Sequence, residues 1–211
     1  MSEVAIITGD IVGSTSMSLA ERERCILMLE RLPQTIASIS KFEMYRGDGF
    51  QLEVDNIAAS LRVAVAIRAF LRSYGYENSR RQYDARLSLG VGSVDYLMES
   101  LAISDGEAFR LSGRGLDSIG DSRLVVETPW EDVNDELKVS TAFADSLISS
   151  WTRSQSRIMF QYLISNMTTG EIGLAIGVSQ QMASKGLKTA EKHLIDLYVD
   201  RFVQLIDKHT L

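Results

Sequence analysis

Val4 to Thr8 is a short apolar run closed by Gly9-Asp10, the pattern of a buried strand. From about Leu19 to Ile39 apolar residues recur at helical spacing behind a capping-type segment. A strand followed by a helix therefore opens the chain. Phe42 to Arg46 and Phe50 to Val54 flank Gly47-Asp48-Gly49, and an Asp-Gly pair between two strand-like pieces is a strong hairpin signal. A second long helix is expected over roughly Ile57 to Tyr74. Ala85 to Val94 reads as a strand in which Arg86, Ser88 and Gly90 alternate with Leu87, Leu89 and Val91. After a polar loop come a helix around Glu107 to Leu116 and a strand at Arg123 to Glu127. The order βαββαβ, with a further αβ, predicts an α+β fold for residues 1–128: a ferredoxin-like or polymerase-palm-like sheet with helices on one face.

Beyond Trp130 the pattern changes to helix. Trp130 to Ser150 reads as a bridging helix with an acidic start, inside a connector over 129–153, and Gln155 to Leu211 predicts three or four short helices in an all-α domain over 154–211. Thr169 to Ser179, followed by Ala183, Ser184, Leu187 and Ala190, has the spacing of a helix-turn-helix. In such a motif Gly177 supplies a positive φ in the turn, Ile176 and Val178 plug the angle between the helices, and Ser179 caps the second one. Gln180, Gln181, Ser184, Lys185 and Lys188 then share its open face, where amides can read base edges and ammonium groups can meet phosphates. An ordinary helical hairpin with a solvated basic face has the same pattern.

Composition narrows the classes. The chain has 211 residues, 45% of them apolar and 24% charged, with only two prolines, which fits a folded globular protein without a Pro-rich linker. Its apolar runs are far shorter than the roughly 20 residues needed to span a bilayer, and the first residues lack the charged start of a signal peptide. A cytoplasmic protein without membrane contact is expected. One cysteine, Cys25, rules out an intrachain disulfide and a multi-thiolate zinc site, so a bound metal would be held by oxygen. The net charge of −6 is uneven: residues 1–150 carry 15 Lys+Arg against 23 Asp+Glu, and residues 151–211 carry 7 against 5. Only the tail suits a nucleic acid.

Asp10 ends the first predicted strand and Asp48 sits in the hairpin turn, two places that a ferredoxin-like sheet brings side by side. Two carboxylates in one cleft call for a proton or a cation between them, and a hard ion such as Mg²⁺ with phosphate oxygens meets that need. Alternatively, Asp10 caps the following helix and Asp48 only makes the turn.

Four blocks carry a resemblance: Thr8-Gly-Asp10-Ile-Val-Gly-Ser14-Thr15, Tyr45-Arg-Gly47-Asp48-Gly-Phe50, Arg86-Leu-Ser-Leu-Gly90-Val-Gly92 and Gly106-Glu-Ala-Phe-Arg110-Leu-Ser-Gly-Arg114. In order and rough spacing they resemble class III nucleotidyl cyclase catalytic domains, and they look still more like the bacterial SatD-like family. The resemblance covers residues 4 to about 127. It implies that Asp10 and Asp48 hold magnesium (or manganese), that the backbone of Ile11 adds a ligand, and that the loop Val12, Gly13, Ser14, Thr15 wraps a triphosphate. It also implies that Arg114 stabilises the phosphate in the transition state, while Arg110 stands where the family has a ribose-orienting Asn. Met44 and Ile103 stand where adenylyl cyclases have a purine-selecting Lys and its Asp partner, so the base is left open. Class III sites form where two such domains meet, which implies a head-to-tail homodimer.

Three function classes follow: a nucleotide-converting, nucleotidyl cyclase-type enzyme; a sensor that binds a nucleotide through Mg²⁺ and passes its occupancy to a DNA-binding tail over 169–190; and a transcription regulator whose front domain only dimerises. Asp10, Asp48 and Arg114 argue against the third. The sensor, a cyclase-like regulatory protein, is the expected class.

Overall fold

The computed structural model describes residues 3–45, 47–76, 79 and 81–210. The fold is α+β. Strand β1 (Glu3–Ile11) lies inside the sheet and leads through a short 3-10 turn to α1 (Leu19–Leu29) and α2 (Leu32–Thr35). The hairpin β2 (Ile39–Tyr45) and β3 (Gly49–Val54) follows, then α3 (Ile57–Arg72) and the long strand β4 (Ala85–Tyr96). The two-residue β5 (Asp105–Gly106), α4 (Glu107–Asp117) and β6 (Leu124–Glu127) complete this half. The strands lie in the order β2-β3-β1-β4-β5, all neighbours antiparallel, and β6 pairs parallel with β4.

Alternation along β1 sorts its side chains. Ala5, Ile7 and Ile11 join the main core with α1 and α3, whereas Ile6 belongs to a smaller cluster with Ala108 and Phe109 of α4 on the other face. Helices thus cover both faces of the sheet, where one covered face was expected. Gly90 allows it: a Cβ there would lie 2.3 Å from the Ala108 carbonyl oxygen, so only glycine lets α4 come this close to β4. Thr8 and Ser112, in hydrogen-bond contact at 2.8 Å, tie the helix to β1.

The helix expected over Leu19 to Ile39 is broken. Ser18 and Glu21 form a capping box that starts α1, but the chain turns after Leu29, and Pro33, which has no N–H to give, sits in the first turn of a separate α2. Ile39 already belongs to β2, several residues before the expected strand start, while Arg46 lies outside the described residues. The tail consists of α5 (Glu131–Ser150), α6 (Arg153–Ile164), α7 (Thr169–Ile176), α8 (Gln180–Thr189) and α9 (Lys192–Thr210). At 19 residues α9 is longer than the expected short helices; its inward Ile195, Tyr198, Val199, Phe202, Leu205 and Ile206 keep helical spacing to the end.

The helical tail and the sheet share one apolar core, with Phe70 of α3 packed on Phe160 of α6 at 5.0 Å between ring centres. Inside it lies a buried ionic cluster. Arg68 donates to Asp84 at 3.0 and 2.9 Å and to Asp145 of α5 at 2.6 Å. Arg72 donates to Asp84 at 2.8 Å and to the carbonyls of Ser149 and Trp151 at 2.6 and 3.0 Å. Burial alone would raise the Asp84 carboxyl, yet the two arginines hold it below its ordinary range. The indole N–H of Trp151 donates to the Ala190 carbonyl at the end of α8, 3.0 Å away.

Candidate functional site

Strand register builds the site. Asp10 pairs across β1 with Gly49 on one side and with Arg86 on the other, so the end of β1, the hairpin turn and the start of β4 meet. They line a cleft of about 460 Å³ with Asp10, Ile11, Val12, Gly13, Ser14, Thr15, Asp48 and Arg86, closed by Gly120, Asp121 and Arg123 from the segment before β6. The structure therefore brings together the seven residues that the sequence assigned to metal and phosphate.

Backbone bonds fix the rim. The Ile11 N–H donates to the Asp48 carbonyl at 3.2 Å, which ties the β1 end to the hairpin, and the Val12 N–H donates to the Asp84 carbonyl at 2.9 Å, which ties the loop to the buried cluster. Arg123 is anchored the same way, its N–H donating to Asp145 at 2.7 Å. The Ser14 hydroxyl donates to Asp48. After Gly13 the chain makes one 3-10 turn, Ser14–Ser16, closed by the Ser16 N–H donating to the Gly13 carbonyl at 2.9 Å.

Arg86 dominates the electrostatics. Its Nε donates to Asp10 Oδ1 at 2.8 Å and a terminal nitrogen donates to Oδ2, a two-point guanidinium–carboxylate pair. The hydrogen bond it donates to Asp10, together with the charges of Asp10 and Asp48, outweighs partial burial and holds the Arg86 guanidinium above its ordinary range. Two carboxylates facing one cleft need a cation, and here a side chain supplies it. The strand pattern marked Arg86 only as a polar position; its register with Asp10 is the signal that identifies it. Arg123 was likewise missed, because nothing local marks a strand-edge arginine as lining a distant cleft.

The donors around the cleft are the carboxylates of Asp10, Asp48 and Asp121, the hydroxyls of Ser14 and Thr15 and backbone carbonyls, all hard oxygens. Among the described residues no cluster of three or more His, Cys, Asp or Glu converges on one point. Such a set fits Mg²⁺ or Mn²⁺ held by one or two carboxylates with the rest of its shell from water and ligand phosphate, and not an all-protein cage.

The predicted arginines lie elsewhere. Arg110 is engaged by Asp95 and Asp105, each at 3.0 Å. Asp95 stands nine residues along β4 from Arg86, roughly 30 Å at strand spacing. Arg114 is exposed on α4, where its charge pulls against the burial that raises the Glu127 carboxyl. Neither lines the cleft.

In the tail, Gly177 has φ 74° and closes α7, Ser179 accepts from the Met182 N–H at 3.2 Å to open α8, and the Val178 N–H returns to the Gly173 carbonyl at 2.8 Å. Ile176, Ala183 and Leu187 point into the core; Gln180, Gln181, Ser184, Lys185 and Lys188 are together on the exposed side of α8. Lys188 also lines a shallow hollow with Ser184, Lys192 and His193.

No protein-family model matches the chain, and no curated protein is significantly similar to it. Among solved structures, two of a bacterial light-regulated adenylyl cyclase are similar over 59% of this chain, each at 16% identity and a TM-score of 0.41, covering 74% of one cyclase chain and 42% of the other. A likeness of that size assigns no activity. Among the described residues no helix is long and apolar enough to cross a membrane.

Proposed function

We propose that this chain is a cyclase-like regulatory protein that holds a nucleotide through Mg²⁺ or Mn²⁺ in the cleft at Asp10 and Asp48, and binds DNA through a helix-turn-helix formed by α7 and α8. In this reading the sheet is of the ferredoxin-like, palm-like kind and the protein works as a homodimer, presenting two recognition helices at a fixed spacing. One observation carries the nucleotide site: Asp10, Asp48, the Val12-Gly13-Ser14-Thr15 loop and Arg86 converge on one cleft from three strands.

Asp10, Asp48 and the Ile11 backbone would hold the metal, which supplies charge neutralisation on phosphate oxygens when bound. Ser14 positions Asp48 by donating to it. Arg86 offers a fork of N–H donors that meets a carboxylate in the free protein and a phosphate equally well by geometry. Binding is favoured over turnover because Arg110, which stands where the family has a ribose-orienting Asn, is engaged by two carboxylates. On α8, Lys185 and Lys188 meet phosphates while Gln180, Gln181 and Ser184 face base edges.

A thermal-shift screen of nucleotides with and without Mg²⁺ tests the cleft. A ligand that binds the native state raises the midpoint by mass action, and the reading requires that this rise depend on the metal. The tail is tested by anisotropy of the full-length protein on a random-sequence duplex pool at low salt; absence of binding would leave α7 and α8 as a packing unit.

A further inference from the structure

Arginines outside the sequence-derived set surround the cleft. Arg86 and Arg123 line it directly. Arg22, from α1, reaches Gly47 next to Asp48: a Cβ placed on Gly47 would lie 2.8 Å from its terminal nitrogen. Arg81 reaches the loop at Gly13, its terminal nitrogen 3.8 Å from a Cβ placed there, with its guanidinium stacked at 4.9 Å over the Tyr76 ring. Among the described residues no carboxylate lies within ion-pair distance of Arg22, Arg81 or Arg123, and only Arg86 is paired, with Asp10. Four guanidinium groups around a cleft containing three carboxylates, in a chain of net charge −6, concentrate positive charge beside the Val12-Gly13-Ser14-Thr15 loop.

The lining is as telling for what it lacks. Among the described residues that line it directly none is aromatic, and its apolar members are Ile11, buried, and Val12; the ring that comes near, Tyr76 with its hydroxyl 3.8 Å from a Cβ placed on Gly13, is buried and stacked under the Arg81 guanidinium. We propose that the cleft recognises a linear chain of three phosphates and not the base, through Arg22, Arg81, Arg86 and Arg123 of a single chain, so that inorganic triphosphate is itself a ligand. This rests on the reading of the cleft as a metal-phosphate site and narrows its ligand class. Guanidinium forks suit the non-bridging oxygens of successive phosphates, and Arg22 beside the hairpin turn and Arg81 beside the Gly13 loop extend the set of cations beyond Arg86 and Arg123.

Isothermal titration of sodium tripolyphosphate, ATP, GTP, CTP and UTP into the full-length protein in Mg²⁺ tests this. The five ligands should bind within about threefold of each other. Arg22→Ala and Arg81→Ala should each weaken all five by one common factor of about tenfold, the size of one charge-assisted hydrogen bond. Arg81→Lys, which keeps the charge and loses the fork, should fall in between, and circular dichroism should show each variant folded. One nucleoside triphosphate binding about a hundredfold tighter than tripolyphosphate would overturn the inference, as would silent Arg22 and Arg81 variants. In both cases Mg²⁺-dependent nucleotide binding would leave the metal-phosphate reading standing. No binding by any of the five would overturn both.

Discussion

Arg86 grips Asp10 at both carboxylate oxygens, from the position directly across the β1–β4 register. One guanidinium thus neutralises a carboxylate of the cleft and lines the same cleft itself.

Removing that cation should expose the carboxylate pair. In Arg86→Ala, Asp10 and Asp48 face each other without a guanidinium between them, so Mg²⁺ alone, without nucleotide, should raise the melting midpoint of the variant more than that of the native protein. Nucleotide affinity should fall. Differential scanning fluorimetry against a Mg²⁺ series reads both effects; an identical response of the two proteins would place Arg86 outside the site.

The buried cluster should matter for stability in a pH-dependent way. Arg68→Ala leaves Asp84 and Asp145 buried without their shared partner and should cost about 3–5 kcal/mol in urea unfolding at neutral pH. Because Arg68 and Arg72 hold the Asp84 carboxyl below its unfolded value, its stabilising contribution is fully present above the ordinary carboxylate range and is lost as pH falls through the lowered folded value. The gap between native and Arg68→Ala stability should accordingly narrow in acid; a constant gap would mean that the pair is not what the variant removes.

Trp151→Phe deletes the N–H that donates to Ala190 and keeps most of the buried volume. The carbonyl left behind belongs to Ala190, which caps the end of α8, so a loss of roughly 1–3 kcal/mol is expected. Hydrogen exchange should show the increase in opening concentrated in α8.

On DNA, Lys185→Ala and Lys188→Ala should weaken every duplex alike, each lowering the salt slope by about 0.9. Gln180→Ala should instead change the ranking of sequences. Equal effects of the lysine and glutamine changes on all duplexes would remove base reading by α8.

What the sequence made legible was local. Gly47-Asp48-Gly49 marked a turn because few residues other than glycine fit there, and Gly177 and Ser179 marked the α7–α8 junction through a positive φ and a helix cap. Asp10 and Asp48 could be placed together because adjacent strands fix their neighbours. The break at Pro33 was written in the chain but masked by continuous apolar spacing on both sides of it. Other features depend on contacts between distant segments. Arg86 is one polar residue among several on β4 until register sets it opposite Asp10, and Arg22 and Arg81 reach the cleft from α1 and from the segment before β4 without a local signature. The covered second face of the sheet follows from Gly90 meeting Ala108, which a strand pattern does not reveal.

The central claim is that Asp48 belongs to a metal-dependent nucleotide site. Isothermal titration of a nucleoside triphosphate into native protein and Asp48→Asn, each with Mg²⁺ and with EDTA, tests it most directly. Native protein should bind in Mg²⁺ and lose about tenfold or more in affinity on chelation, and the Asp48→Asn variant should be folded but indifferent to the metal. Native binding unchanged by EDTA, or Asp48→Asn binding with full metal dependence, would contradict it.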